Sequence, residues 1–345
     1  MNAYHKEIEY YFLQSFLSKK LKINIKNPQI QNYFFNLSKY FQVSGYLLNS
    51  IEFSKNTIAL KEKLMKLHSN YLKKILVMRY EIIKIGNLFD ANNIEYVVLK
   101  GMAMEIKEMN SYRHFRDLDI LVNQKDLKKA YKLLKSSGYK YFNKHSNDSV
   151  KYIRDNHHIP PMVNDARVIV ELHFRITKAS LFKSCPLTKV AFLEKEKCGG
   201  INVPSDRLLL AHTLYHGILH HELMSGPIFL LDIKNIMIKN MYVDNSISCL
   251  LEKLKLSDEY EQVKSIIEIC KTKEYFDDLL YKKFDCLFQG NKIFPSEIHI
   301  KNKKIPLAKK LMKFVKYNSY YYQLPYWSPK LIYIILIKFY RNLFV

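Results

Sequence analysis

Residues 117–122 read Asp-Leu-Asp-Ile-Leu-Val, two carboxylates two positions apart in an otherwise apolar run. Side chains on a β-strand alternate faces with a period of two, so Asp117 and Asp119 share one face. Like charges held side by side cost energy unless a cation lies between them, and the common cation at paired hard oxygen donors is Mg²⁺. Upstream, Tyr96-Val97-Val98-Leu99 reads as a second strand that turns at Lys100-Gly101 into a short helix over 102–107. Such a turn offers backbone N–H groups, and room at the glycine, to a phosphate. Acidic strand and glycine turn together imply an α/β unit suited to phosphoryl or nucleotidyl transfer.

The rest of the chain is arranged around this unit. Residues 1–90 are predicted helical: Leu64, Leu67, Tyr71, Ile75, Met78, Ile82, Ile85 and Phe89 recur at threes and fours, a stripe one helix face wide. In residues 91–203, strands over 94–99 and 117–122 are followed by a helix that Asn123 caps and Gly138 ends. Further strands are expected near 139–142, 157–161 and 167–174, with a polar loop over 143–149. Pro160-Pro161 reads as a strand end or a sheet edge, because proline has no N–H for the ladder. From 204 onward the pattern is helical again. Ser205 is an N-cap for a helix through His221, and helices follow near 229–239, 247–255, 259–271 and 275–288. The expected fold is α/β of the α+β kind. A mixed β-sheet core spans 91–203, between an N-terminal helical segment (1–90) and a C-terminal helical domain with a basic, aromatic tail (204–345).

The motifs resemble those of a known family. A glycine turn, then Asp-x-Asp, then a third acid on another strand resembles the polymerase-β-type nucleotidyltransferase superfamily. Within it, Val97-Val98-Leu99-Lys100-Gly101, Arg116-Asp117-Leu118-Asp119-Ile120-Leu121-Val122 and Val170-Glu171-Leu172-His173 resemble an uncharacterised bacterial nucleotidyltransferase family. Val203-Pro204-Ser205 and Leu231-Asp232-Ile233 extend the likeness over most of the chain. The resemblance implies an NTP substrate, with Asp117, Asp119 and Glu171 as catalytic carboxylates that hold Mg²⁺. It further implies Lys100, Gly101, Arg116 and His173 as nucleotide-binding residues, His173 also being placed to orient Glu171. Where many superfamily members have Gly-Ser, this chain has Gly101-Met102, so the serine's phosphate contact is either absent or supplied by another group, for which Lys100 is the candidate. The reading is transfer of a nucleoside monophosphate to an unidentified acceptor (small molecule, peptide or protein, or RNA) with release of pyrophosphate. Kinase-like γ-phosphoryl transfer on the same metal site, or a catalytically silent nucleic-acid- or membrane-binding protein, are the alternatives.

Other residues carry weaker signals. Arg113, in the same basic loop as Arg116, is a second phosphate candidate, and either arginine could serve as counter-ion to the aspartates. Removing one of the clustered carboxylates is expected to relieve repulsion and leave the fold intact. His212, His216 and His220 recur every four residues with His221 beside them, but without H-E-x-x-H they read as packing or cleft-lining groups. His157-His158 are expected near the active-site rim, and Asp232 stands in an otherwise apolar helix start. P-loop, Rossmann and serine-hydrolase motifs are absent from the sequence.

The balance of 55 Lys and Arg against 32 Asp and Glu favours an anionic partner. Residues 301–345 hold ten Lys and Arg and no acid, together with Tyr320-Tyr321-Tyr322 and the apolar run 331–337. That run is too short to span a bilayer, which needs about 20 residues, so no membrane insertion is expected. The tail is expected to close over the catalytic cleft; a terminal helix packed on the body with its lysines solvated, or a segment lying on a membrane surface, are the alternatives. Five scattered cysteines and a charged N-terminus fit a reduced, cytoplasmic protein.

Overall fold

The computed structural model describes Phe12, Ser15 and residues 21–109, 113–142, 157–177, 186–220, 228–239 and 243–272. Its first part departs from the all-helical expectation. Strands β1 (Leu21–Ile23) and β2 (Ile51–Phe53) pair in parallel; strands of three residues show too little alternation to be read from sequence. Between them lie α1 (Pro28–Phe41) and α2 (Ser44–Ser50). Helix α1 starts where the Asn27 side chain accepts the Gln29 N–H and Pro28 takes the first helical position. It ends at Gln42, which turns left-handed at φ 58°. Helix α3 (Ile58–Ala91) follows the apolar stripe: Leu64, Ile75, Met78, Ile82, Ile85 and Phe89 are buried, Leu67 and Tyr71 half-buried.

Next come β3 (Tyr96–Val98), α4 (Lys100–Ile106), β4 (Asp117–Val122), α5 (Leu127–Ser136), β5 (Lys140–Tyr141), β6 (Met162–Val163) and β7 (Ile169–His173). The five strands form one mixed sheet, ordered β3-β4-β7-β6-β5 and parallel only between β4 and β7. This is the mixed α/β fold expected from the sequence. Leu118, Ile120, Leu121 and Val122 are wholly buried, so β4 is covered on both faces and its apolar run does not alternate.

The prolines at 160 and 161 end a strand but do not mark a sheet edge. β6 lies between β7 and β5, and the Pro161 carbonyl accepts the Phe142 N–H at 2.9 Å. His158 bridges to His173 while Met162 pairs with Val170, so the proline side carries one extra residue between these two pairings, a β-bulge.

Helix α6 (Pro186–Leu193) leads into a hairpin of β8 (Glu196–Cys198) and β9 (Ile201–Val203), a pairing not expected from the sequence. Gly199 and Gly200 both have positive φ, as a two-residue hairpin turn of the favoured hand requires. Ser205 caps α7 (Asp206–Leu214) by accepting the Leu208 N–H at 3.4 Å. The helix does not run on unchanged to His221: Tyr215–His220 widens into a π-helical segment. Helices α8 (Ile228–Lys239), α9 (Val243–Leu254) and α10 (Ser257–Thr272) complete the described chain. α8 and α9 both pack on α7. Buried Lys107, which caps α4, joins it to the hairpin and α7 through Glu196 Oε2 at 2.6 Å and Asp206 Oδ1 at 2.5 Å. The expected helix at 275–288, the loop at 143–149 and the tail at 301–345 lie outside the described residues. Among those described, no helix is long and apolar enough to cross a membrane.

Candidate active site

The parallel register of β4 and β7 sets Asp119 opposite Glu171 and Leu121 opposite His173. With a period of two along each strand, Asp117, Asp119, Glu171 and His173 all project from one face of the sheet. Asp119 is the centre of the group and is almost fully buried. Its Oδ1 accepts from Lys100 Nζ at 2.7 Å and from His173 Nε2 at 2.7 Å. His173 Nε2 also lies 3.5 Å from Glu171 Oε2.

Lys100 reaches Asp119 because of how β3 ends. The Leu99 N–H donates to the Asp119 carbonyl at 2.9 Å, continuing the β3–β4 pairing by one residue. Lys100 then adopts a left-handed φ of 51°, which costs a residue with a Cβ about 1 kcal/mol, and opens α4. The salt bridge to Asp119 offsets that strain. The counter-ion expected of Arg113 or Arg116 is therefore Lys100, with His173. Arg113 pairs instead with Asp232, Nε to Oδ1 at 3.1 Å. Arg116 is exposed, beside the Gln42 side-chain amide and Tyr71.

Gly101 is not the residue with positive φ. A Cβ there would meet the Phe115 side chain at 2.7 Å, so close packing of the 113–116 loop on α4 already requires a glycine. Only the fold brings the Phe115 side chain against Gly101.

Histidines form a second layer around the carboxylates. The rings of His157, His158 and His173 are mutually adjacent, with centroids 4.6 Å and 5.1 Å apart. Backbone pairing fixes them: the Ile159 N–H donates to Leu172 O and the Phe174 N–H to His157 O, each at 3.0 Å. His158 Nδ1 donates to the Ile159 carbonyl at 2.8 Å, and its Nε2 lies 3.9 Å from Glu171 Oε2. These residues, expected at a rim, are buried or nearly so. No local pattern signals this, because residues 157–159 meet β7 only through tertiary backbone pairing. His212 is buried in α7 with its ring 5.9 Å from that of His216; the side chain of His220, and His221, lie outside the described residues.

Protonation follows from this crowding. Burial works against the Asp119 charge, but Lys100 and the His173 hydrogen bond outweigh it and hold the carboxyl well below its usual range. Burial, then the Asp119 charge, pushes Asp117 up to about 7. Burial likewise opposes charge on Glu171 and His173, yet contact with His173 holds Glu171 below its ordinary value, and hydrogen bonds first to Asp119 and then to Glu171 hold His173 above its own. Burial lowers His158. One anionic, one protonatable and one paired carboxylate thus share a face. Ligand atoms of Asp119, Glu171 and His173 all lie within 4.8 Å of one another, near enough to hold one metal ion; Asp117 is on the same face but outside that set.

A family model described as an uncharacterised nucleotidyltransferase matches residues 28–267, and the chain belongs to that family of nucleotidyltransferases. No curated protein matches it. Among solved structures, the chain is similar to the antibiotic-resistance factor ANT(2'')-Ia, determined in solution, with 8% identity and a TM-score of 0.37 over 54% of this chain and 97% of that one.

Proposed function

Starting from that membership, we propose that the protein transfers a nucleoside monophosphate from an NTP to an acceptor hydroxyl and releases pyrophosphate. The observation that carries the proposal is the register of Asp119 with Glu171, which gathers the acids of two separate motifs on one buried face. In this reading Asp117, Asp119 and Glu171 hold divalent cations, of which Mg²⁺ suits the carboxylates. The buried donor set fits such an ion, because two carboxylates and an imidazole already converge within 4.8 Å. When bound, the cation neutralises the triphosphate and activates the hydroxyl.

The chain's own groups would do the rest. Lys100 leaves Asp119 for a phosphate oxygen, as its side chain, 26% exposed against 3% for Asp119, is the more free to move. Arg116 and His173 add cationic or donor contacts to the nucleotide, and α4 is held close at Gly101 by Phe115. A carboxylate of the face takes the hydroxyl proton. The new bond joins the acceptor oxygen to the α-phosphorus, and the bond from that phosphorus to the bridging oxygen breaks. Residues 91–203 carry this chemistry, with 1–90 and 204–345 as flanking segments. An NTP substrate and free Cys198 and Cys249 fit a cytoplasmic setting.

The test uses the full chain, Mg²⁺, NTPs labelled at the α- or γ-phosphate, and cell extract as a source of acceptors. Transfer of α-label with pyrophosphate release is expected. Transfer of γ-label with nucleoside diphosphate as co-product would establish the kinase reaction instead. No turnover and no Mg²⁺-dependent NTP binding would leave a binding protein.

A further inference from the structure

We infer that the cation position between Asp119 and Glu171 is completed by imidazole nitrogen, from His173 and His158. It should therefore take a first-row transition cation such as Mn²⁺ in preference to Mg²⁺. This rests on the proposed reading that a divalent cation binds this face; it specifies the ligands and the ion, and it assigns His173 to the ion in place of the nucleotide.

The convergent trio is the first reason. It contains His173 and leaves out Asp117, so the geometry selects two carboxylates and a nitrogen rather than three carboxylates. Two ligands at right angles on an ion about 2.1 Å away lie about 3 Å apart. The separations from His173 Nε2, 2.7 Å to Asp119 Oδ1 and 3.5 Å to Glu171 Oε2, bracket that value. Small side-chain rotations, with release to solvent of the Nε2 proton that Asp119 now accepts, would bring all three into one coordination shell.

His158 supplies the second reason. A carbonyl oxygen can only accept, so the 2.8 Å contact to Ile159 fixes the ring proton on Nδ1. In the neutral ring the lone pair then sits on Nε2, the atom facing Glu171 at 3.9 Å. A histidine whose second nitrogen donates to a backbone carbonyl is the usual arrangement of a metal ligand, with tautomer and ring plane set in advance. The backbone bonds of His157 and Ile159 to β7 hold the ring there, and the bulge at Pro160-Pro161 provides the offset from β6.

Donor chemistry then decides the ion. Mg²⁺ takes oxygen and water in a strict octahedron, whereas imidazole raises affinity along the first transition row. The Asp117–Asp119 edge offers oxygen alone and suits Mg²⁺, so the two sides of Asp119 are chemically unequal.

The experiment uses the full-length protein with Mn²⁺ alone as the probe. Pulsed EPR should show ¹⁴N modulation from directly bound imidazole, and Mg²⁺ should displace the ion only in large excess. His158→Gln should weaken Mn²⁺ binding about tenfold or more while sparing Mg²⁺ affinity. The nitrogen signal should vanish in Asp119→Asn; persistence there would trace it to histidines elsewhere and overturn the assignment. Mn²⁺ bound without ¹⁴N modulation would also overturn it and leave nucleotidyl transfer standing on carboxylates. Failure of the wild-type protein to bind any divalent cation, with or without NTP, would remove both. The wild-type spectrum needs no variant, so the outcome does not depend on whether a histidine substitution folds.

Discussion

Replacing Gly101 by alanine separates two reasons for a glycine after Lys100: room for a phosphate, or room for Phe115. The added Cβ would lie 2.7 Å from Phe115 Cβ, 2.8 Å from Cγ and 2.9 Å from Cδ1. These atoms are the root of the side chain, so ring rotation cannot clear them and either α4 or the 113–116 loop must shift. Overpacking of this kind costs about 1–3 kcal/mol, from which alanine's better helix propensity subtracts about 0.5–1 kcal/mol. Phe115→Gly removes all three contacts, whereas Phe115→Ala would keep the Cβ. In the Phe115→Gly background, Gly101→Ala should therefore stabilise by about 0.5–1 kcal/mol. Urea unfolding of the four proteins should give a coupling of about 1–3 kcal/mol. An equal cost in both backgrounds would refute the packing argument. Nucleotide titration of the folded double variant adds the functional half: retained binding supports packing, and lost binding shows that the phosphate needs the space.

Asp119→Asn should abolish transfer, and an active variant would end the assignment. Asp119→Ala should also lower stability by about 3–5 kcal/mol in denaturant titration, because it strips buried His173 and Lys100 of their shared partner; this reverses the expectation that removing a charge relieves repulsion. Lys100→Ala should raise the NTP dissociation constant about tenfold, the loss of one charge-assisted hydrogen bond, and an unchanged constant would leave Lys100 only its place beside Asp119. Burial first, then His68 and Arg113, push His114 down to about 3, and burial does the same to His212. Both are neutral in the fold and take up protons near 6.5 when unfolded, so their stabilisation is complete above that pH and is lost as pH falls toward 3. Each should cost about 1.4 kcal/mol by pH 5.5, and His114→Gln should flatten the acid limb of the stability curve by that amount; an unchanged limb would show that His114 is charged in the fold.

Strand period and helix stripe were legible because both are written into adjacent residues. Asp117 and Asp119 share a face on sequence grounds alone, and so do Glu171 and His173; the long stripe of α3 and the Ser205 cap are of the same kind. Contacts set by tertiary neighbours were not legible. Arg113 finds Asp232 on α8, Phe115 dictates Gly101, and Lys100 takes the counter-ion place because β3 and β4 pair one residue beyond Val98. Gly199-Gly200 between two short runs was a hairpin signal that could have been read. Strands β1 and β2 offered none.

The site shows how little is needed to join these two levels. Asp-x-Asp and Glu-x-His each fix two side chains on a strand face, but neither fixes a partner. One further fact, Asp119 opposite Glu171 in a parallel pair, arranges the four as a grid and leaves His173 beside both acids. A slip of one residue between β4 and β7 would turn Glu171 and His173 to the other side of the sheet and dissolve the cluster. The apolar residues between the acids, Leu118, Ile120, Val170 and Leu172, all wholly buried, prevent that slip, because it would carry Val170 and Leu172 to the acidic face. The residues that make the core thus also determine which donors meet, and the imidazole enters the donor set through the register that the core enforces.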